Sequence, residues 1–101
     1  MKDTAILINV ARGGIINEKD LEKALSDHQI GGVCLDCMLG EPVDKDSSLF
    51  KFDNVIVTPH MAWYSEEASQ ELKRKVAEES VRFLRGEPIH YPANKVIGVI
   101  R

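Results

Sequence analysis

The chain contains three residue types that could together reduce a carbonyl group beside a carboxylate: an arginine (Arg12), a histidine (His60) and an acidic residue, either Asp36 or Glu41 just beyond it. The planar guanidinium of an arginine can hold a carboxylate in a bidentate pair and polarise a neighbouring oxygen. An imidazole can give that oxygen a proton as a hydride arrives, or take the proton back in the reverse direction. A carboxylate on the second imidazole nitrogen fixes the orientation of the ring. The set therefore predicts reversible reduction of a 2-oxo acid, provided that the fold brings the three side chains together.

Short apolar runs that are typical of parallel strands precede these residues along the chain. Ala5 to Ile8 is a continuous apolar run that predicts a central strand buried on both faces, and the turn that contains Arg12 follows it. Val33 to Asp36 and Val55 to Val57 predict a second and a third strand, and Pro59 ends the last one. Because the carboxyl ends of parallel strands meet at one edge of a sheet, we expect the three side chains to lie at that edge.

Two helical patterns separate and follow the predicted strands. Asn17 is a favourable N-cap for a helix that ends near His28, so the first two strands and this helix predict a right-handed crossover unit. Ser65 is a second N-cap, for a long helix that runs to about Arg85 and ends at Gly86. Its apolar positions at helical spacing predict a buried stripe, which consists of Ala68, Leu72, Val76, Phe83 and Leu84. The fold class predicted from this order is α/β with a parallel sheet.

The segment Met38 to Asn54 has no sustained periodicity and predicts a long loop, which Leu49, Phe50 and Phe52 would anchor to the core. Cys34 and Cys37 have the spacing of a redox or metal pair. However, residues three apart on a strand point to opposite faces, so the sequence favours two buried, reduced thiols.

Composition excludes several classes of function. The chain of 101 residues has a net charge of −3 with mixed signs throughout, so no basic stripe marks a nucleic-acid surface. It contains no apolar run of membrane-spanning length and no secretion signal, which predicts a cytoplasmic location without a membrane partner. No metal site is predicted.

The string from Met1 to Asn17 resembles the nucleotide-domain signature of the D-isomer-specific 2-hydroxyacid dehydrogenases. The resemblance continues in the family's order through Leu35-Asp36, Glu41-Pro42 and Thr58-Pro59-His60, and it covers nearly all of the chain up to about Asn94. The run from His60 to Ser65 is most similar to the branch that includes the C-terminal binding proteins and glycerate dehydrogenases.

The resemblance implies an architecture. Residues 1–86 would form the C-terminal part of a Rossmann-type nucleotide-binding domain, which is a partial parallel sheet of its last three strands with flanking helices and the long C-terminal helix. Residues 87–101 would return towards a substrate domain, and 96–100 could form a strand.

The same resemblance implies roles for individual residues. Arg12 would bind the substrate, His60 would be the acid/base group, and Glu41 would be its partner. The cofactor would be NAD, bound by Asn9, Ala11, Arg12, Asp36 and His60. Trp63 would line the substrate pocket, although packing at the start of the long helix is an equal alternative. Taken alone, Arg12 could cap a sheet edge or pair with a surface carboxylate, Asp36 could cap a loop, and His60 could be a structural histidine at a strand end.

The sequence departs from the family in what it lacks. It has no Gly-x-Gly-x-x-Gly turn to seat a pyrophosphate, and no acidic residue that would select NAD over its phosphorylated form. Met1 falls on a position inside the family signature, which predicts a portion of a dehydrogenase that is inactive alone. An uncovered sheet face would also favour a homo-oligomer. The alternative is a non-enzymatic protein of the C-terminal binding protein kind, which senses cofactor and recruits partners.

Overall fold

The computed structural model describes residues 1–94, and the strand predicted at 96–100 lies outside them. Three strands form one parallel sheet, in which the second strand of the chain lies between the first and the third; along the chain, one helix follows the first strand and another follows the third. The elements are β1 (Ile6–Asn9), α1 (Glu18–Ser26), β2 (Gly32–Leu35), β3 (Val55–Val57) and α2 (Glu66–Leu84). This arrangement confirms the predicted α/β, Rossmann-like fold.

Parallel pairing brings the carboxyl ends of all three strands to one edge of the sheet. In this register Leu7 lies opposite Val33, which in turn lies opposite Val55. The ladder continues past the strands, because the amide of Asp36 donates to the carbonyl of Asn9 at 2.9 Å. Residues that follow β1, β2 and β3 are therefore held side by side at this edge.

The core lies on one face of the sheet. Side chains alternate along a strand, so Val33 and Leu35 point to the same face, and both are buried. They pack with the apolar face of α1 and with the short helical turn Ser48–Lys51 of the loop between β2 and β3. The buried members of this cluster are Leu21, Leu25, Ile30, Val33, Leu35, Met38 and Leu49.

The other face of the sheet carries exposed apolar side chains. Ile6 is 57% exposed, Ile8 is 65% exposed and Ile56 is 60% exposed. The prediction that the first strand is central and buried on both faces is therefore wrong, since β1 is an outer strand and only its Leu7 side packs against the core. An apolar run identifies a strand that can be covered on both faces, but it does not supply the covering element.

The chain forms two compact units, Met1–Ala62 and a second unit that begins at Trp63. Ser65 caps α2 as predicted, by accepting a hydrogen bond from the amide of Ala68 at 3.0 Å. The predicted burial of the helix's apolar stripe is wrong, because no residue of α2 is buried and Phe83 is 58% exposed. Helical spacing indicates which residues share a face, whereas burial also requires a packing partner.

Within residues 1–94, no helix has the length and apolar character needed to cross a bilayer.

Candidate active site

Glu41 and His60 form a hydrogen-bonded pair beyond the carboxyl ends of the strands. The Nδ1 atom of His60 lies 2.9 Å from one carboxylate oxygen of Glu41 and 2.8 Å from the other. His60 follows β3, and Glu41 lies in the loop after β2, so adjacent parallel strands bring the two side chains together. Both side chains are about 40% exposed, which leaves the pair accessible to a small molecule.

The backbone at His60 adopts an unusual conformation. Its φ angle is +53°, in the left-handed region that few residues other than glycine occupy. Residues are held in this region only where the surrounding structure fixes them, and such sites are frequently functional. The amide of His60 donates to the carbonyl of Thr58 at 2.9 Å, which closes the tight turn around Pro59.

The buried carboxylate of Asp36 is bonded to the same turn. Its Oδ1 atom accepts hydrogen bonds from the Thr58 hydroxyl at 2.5 Å and the Met61 amide at 2.9 Å. Its Oδ2 atom accepts one from the Ala62 amide at 2.8 Å. The end of β2 is thereby tied to the segment that carries His60.

These contacts lower the pKa of Asp36. The hydrogen bond from Thr58 is the largest cause, and the amides of Ala62 and Met61 act in the same direction, against the desolvation of the carboxylate. A folded-state pKa below the unfolded-state value means that the charged carboxylate stabilises the folded state. This stabilisation is complete above the ordinary aspartate pKa of about 3.9 and is lost as the pH falls through the lower folded value.

We therefore expect the free energy of unfolding to decrease as the pH falls below about 4, with a contribution from Asp36. Urea unfolding at pH 6 and pH 3 measures this decrease, and Asp36→Asn should reduce it. The exposed Asp53 provides the control, since Asp53→Asn should leave the decrease unchanged. An equal pH dependence in Asp36→Asn and the parent chain would contradict the assignment.

Asn9 shapes the turn that carries Arg12. Its side chain is buried, with Nδ2 donating to the carbonyl of Arg12 at 2.9 Å and Oδ1 accepting from the amide of Ala11 at 3.1 Å. The Arg12 guanidinium is exposed and donates to the carbonyl of Ala11 at 2.7 Å, which is a hydrogen bond within the same turn. Gly13 packs so closely on the Met38 backbone that a Cβ atom there would overlap it. The Arg12 turn thus packs against the segment that leads from Asp36 to Glu41.

A cavity of about 440 Å³ lies beside the Glu41–His60 pair. Its wall combines the polar groups Asp36, Glu41, Thr58 and His60 with the apolar side chains of Met38, Val43, Phe50 and Val57. Phe50 was predicted to help anchor the loop to the core, but it is 47% exposed and lines this cavity, whereas Leu49 is buried. Thr58 is a further site residue, for which the sequence contained no signal beyond its place in the Thr58-Pro59-His60 motif at the end of β3.

The other singled-out residues lie in different surroundings. Trp63 belongs to the second unit, is 54% exposed and stacks edge-to-face on Tyr64 with ring centroids 5.4 Å apart. Cys37 is buried and its thiol donates to the carbonyl of Asn9 at 3.8 Å, whereas Cys34 is only partly buried. Neither cysteine forms a disulfide. Across residues 1–94, no group of three His, Cys, Asp or Glu side chains could hold a metal ion.

A comparison with known protein families identifies the family of this chain. Residues 1–62, the whole of the first unit, match the family described as D-isomer specific 2-hydroxyacid dehydrogenase, NAD binding domain. The chain belongs to this family. Because the match includes Arg12, Asp36, Glu41 and His60, the sheet edge described above lies within the family's NAD-binding domain.

Named members of the 2-hydroxyacid dehydrogenase family are similar along most of this chain. A glyoxylate reductase of Korarchaeum cryptofilum is 42% identical over 87 residues, which are 86% of this chain and 26% of that protein. A glycerate dehydrogenase of Methylorubrum extorquens is 44% identical over 90 residues, which are 87% of this chain and 29% of that protein. The chain therefore spans less than a third of the length of these relatives.

Two solved structures share the fold of this chain. An acyclic imino acid reductase (Bsp5) in complex with NADPH and D-Arg has a TM-score of 0.80 and 35% identity, over 88% of this chain and 28% of that one. The D-lactate dehydrogenase of Lactobacillus jensenii with NAD⁺ has a TM-score of 0.75 and 30% identity, over 94% of this chain and 32% of that one.

Proposed function

We propose that this chain supplies the acid/base part of the active site of an NAD(H)-dependent oxidoreductase. The enzyme would interconvert a D-2-hydroxy acid and its 2-oxo acid by hydride transfer. The observation that carries the proposal is the hydrogen bond between His60 Nδ1 and Glu41 at the carboxyl edge of the sheet. The names of the relatives, a glyoxylate reductase and a glycerate dehydrogenase, support the substrate class.

His60 is the proton carrier in this proposal. Because Nδ1 is bonded to Glu41, the proton is exchanged with the substrate through Nε2. In the direction of reduction, Nε2 gives its proton to the carbonyl oxygen of the 2-oxo acid; in the reverse direction it takes the proton of the hydroxyl group. Glu41 holds the ring so that Nε2 keeps this direction.

Arg12 binds the carboxylate of the substrate in this proposal. The guanidinium matches a carboxylate in geometry and charge, and it also polarises the oxygen that receives the proton. The exposed position of Arg12, on a turn fixed by the buried Asn9, supports this role. To bind a substrate, the guanidinium would exchange its bond to the carbonyl of Ala11 for bonds to the substrate carboxylate.

The cofactor site is proposed at the turn after β1 and at the end of β2. Asn9, Ala11, Arg12, Asp36 and His60 would hold the nicotinamide end of NAD, which supplies or accepts the hydride when it is bound. The donor set fits this group, because a carboxylate oxygen can accept two hydrogen bonds, and Oδ2 of Asp36 accepts one from Ala62. A carboxamide N–H of the cofactor would provide the second.

We also propose roles for Trp63 and for the C-terminal residues of the chain. Trp63 would line the substrate pocket, and residues 87–101 would return to the substrate domain. The isolated chain would be inactive, since its sequence has no Gly-x-Gly-x-x-Gly turn for the pyrophosphate. The exposed side chains of Ile6, Ile8 and Ile56 support self-association as a homo-oligomer, which sedimentation velocity measures.

A chimaera tests the proposed activity. Residues 1–94 would replace the corresponding segment of the Korarchaeum cryptofilum glyoxylate reductase, which supplies the remaining parts of the nucleotide site. We expect NADH oxidation with glyoxylate or hydroxypyruvate at a kcat on the order of 10 s⁻¹. A folded chimaera that binds NADH but reduces none of a panel of 2-oxo acids would contradict the proposal. Cofactor-dependent recovery of protein partners would then favour the non-enzymatic alternative.

Glu41→Gln should slow this reaction without preventing binding. The neutral amide cannot stabilise the imidazolium or hold the ring as the carboxylate does, so we expect kcat to fall about 10²-fold, with KM for the 2-oxo acid nearly unchanged. Steady-state kinetics of the chimaera measure both constants. Glu66→Gln, at the exposed start of α2, is the control that should keep the parent kcat. An unaltered kcat in Glu41→Gln would remove Glu41 from the proposed machinery.

A further inference from the structure

The contacts of Asp36 indicate a role in addition to its proposed contact with the cofactor. We propose that Asp36 is a positioning residue, which acts through Thr58 and the amides of Met61 and Ala62 to hold His60 against Glu41. This inference rests on the proposed function, because that function makes His60 the acid/base group.

Three hydrogen bonds carry the inference. The Asp36 carboxylate accepts from the Thr58 hydroxyl, two residues before His60, and from the amides of the two residues that follow His60. The residues that bond to Asp36 therefore lie on both sides of His60 in the sequence. Each is charge-assisted and lies in a part-buried or buried site, where such bonds are strongest.

The conformation of His60 makes this support necessary. A histidine with φ of +53° is in a sparsely populated region, and the turn contains Pro59, whose nitrogen has no hydrogen to donate to the sheet ladder. The bonds to Asp36 support this turn from outside it, on both sides of His60 in the sequence. The side chain of Asp36 is the group that bonds to Thr58, Met61 and Ala62 together.

Asp36 is also well anchored itself. It directly follows β2, which lies between β1 and β3, and its amide donates to the carbonyl of Asn9. On the other side, the amide of Thr58 donates to the carbonyl of Leu35 at 2.9 Å. The turn that carries His60 is thus hydrogen-bonded to the end of the central strand, β2. The Asn9 turn that carries Arg12 is hydrogen-bonded to the same strand end.

Nuclear magnetic resonance of the 101-residue chain without cofactor or substrate tests the inference. The first readout is the ¹⁵N and ¹H signature of the His60 ring, which reports the Nδ1 bond to Glu41. The second is hydrogen exchange of the Met61 and Ala62 amides. Thr58→Val removes one donor and leaves Asp36 in place, whereas Thr58→Ser restores the hydroxyl. Asp36→Asn places an amide where Oδ1 and Oδ2 accept bonds, and Asp53→Asn is the matched control.

We expect Thr58→Val and Asp36→Asn to change the ring signature of His60 and to accelerate exchange of the Met61 and Ala62 amides about tenfold or more. Thr58→Ser and Asp53→Asn should retain the parent spectrum. If Asp36→Asn fails to fold, the comparison of Thr58→Val with Thr58→Ser decides the matter. A folded Thr58→Val chain with the parent ring signature would overturn the inference, since a residue that only contacts cofactor or only stabilises the fold would leave the ring unaltered.

These results are independent of turnover. An inactive chimaera would contradict the proposed function while the ring signature still showed whether Asp36 positions His60. Conversely, an active chimaera with an unchanged His60 signature in the Thr58→Val chain would retain the proposed function and overturn the role of Asp36.

Discussion

His60→Asn is expected to lower kcat of the chimaera about 10³-fold, because general acid–base catalysis contributes about 10²- to 10⁴-fold and an asparagine cannot carry the proton. Asparagine is the informative replacement, since it tolerates the left-handed φ of +53° better than most residues do. The backbone turn is then retained while the imidazole is removed. Stopped-flow or steady-state measurement of NADH oxidation gives kcat.

The chain contains a matched control for this substitution. His28 also has a positive φ, of +52°, and it lies after α1, far along the chain from the proposed site. His28→Asn should therefore have the parent kcat, with any effect limited to stability. Equal activity of His60→Asn and His28→Asn would exclude His60 as the acid/base group.

Arg12→Lys is expected to reduce kcat/KM for glyoxylate about 10²- to 10³-fold, although the positive charge is kept. A lysine ammonium cannot form the bidentate pair with a carboxylate, and its charge is a single point on a flexible stem. The loss should be much larger in kcat/KM for the 2-oxo acid than in the affinity for NADH, which quenching of protein fluorescence measures.

Arg85→Lys provides the control for Arg12→Lys. Its side chain is 68% exposed and its guanidinium approaches Glu87 only at 4.0 Å, so the exchange of one cation for another should change no kinetic constant. If Arg12→Lys behaves like Arg85→Lys, a simple positive charge suffices at position 12. The substrate carboxylate would then not be held by a guanidinium in the way proposed.

Parallel pairing predicted that residues after the second and third strands share one edge of the sheet, whereas the pairing of Glu41 with His60 was implied by the resemblance to the family. Once 33–36 and 55–57 are recognised as adjacent parallel strands, the residues that follow them must share an edge. The strand positions therefore predicted the shared edge, and the resemblance supplied the partner of His60 in the loop beyond it.

The contacts of Asp36 could not be predicted in the same way. Its bonds to Thr58, Met61 and Ala62 depend on a turn with a left-handed residue at its centre, and no apolar or charge pattern encodes that conformation. Local hydrogen bonds of this kind become evident only when backbone and side chain are seen together.

Burial was the least predictable property. The exposed positions of Ile8 on β1 and Leu72 on α2 have the spacing of core residues, because alternation and helical periodicity describe only which side chains share a face. What covers a face is decided by the whole set of packed elements. Leu49 and Phe50 are adjacent apolar residues, but only Leu49 is buried, whereas Phe50 lines the cavity.

The most direct test of the proposed site is a crystal structure of the chimaera with NADH and oxamate, an unreactive analogue of a 2-oxo acid. We predict that Nε2 of His60 lies within about 2.6–3.2 Å of the analogue's carbonyl oxygen, with Nδ1 still on Glu41 and the Arg12 guanidinium on the carboxylate. Oxamate bound at the nicotinamide ring with the imidazole of His60 beyond hydrogen-bond distance would contradict the proposed site.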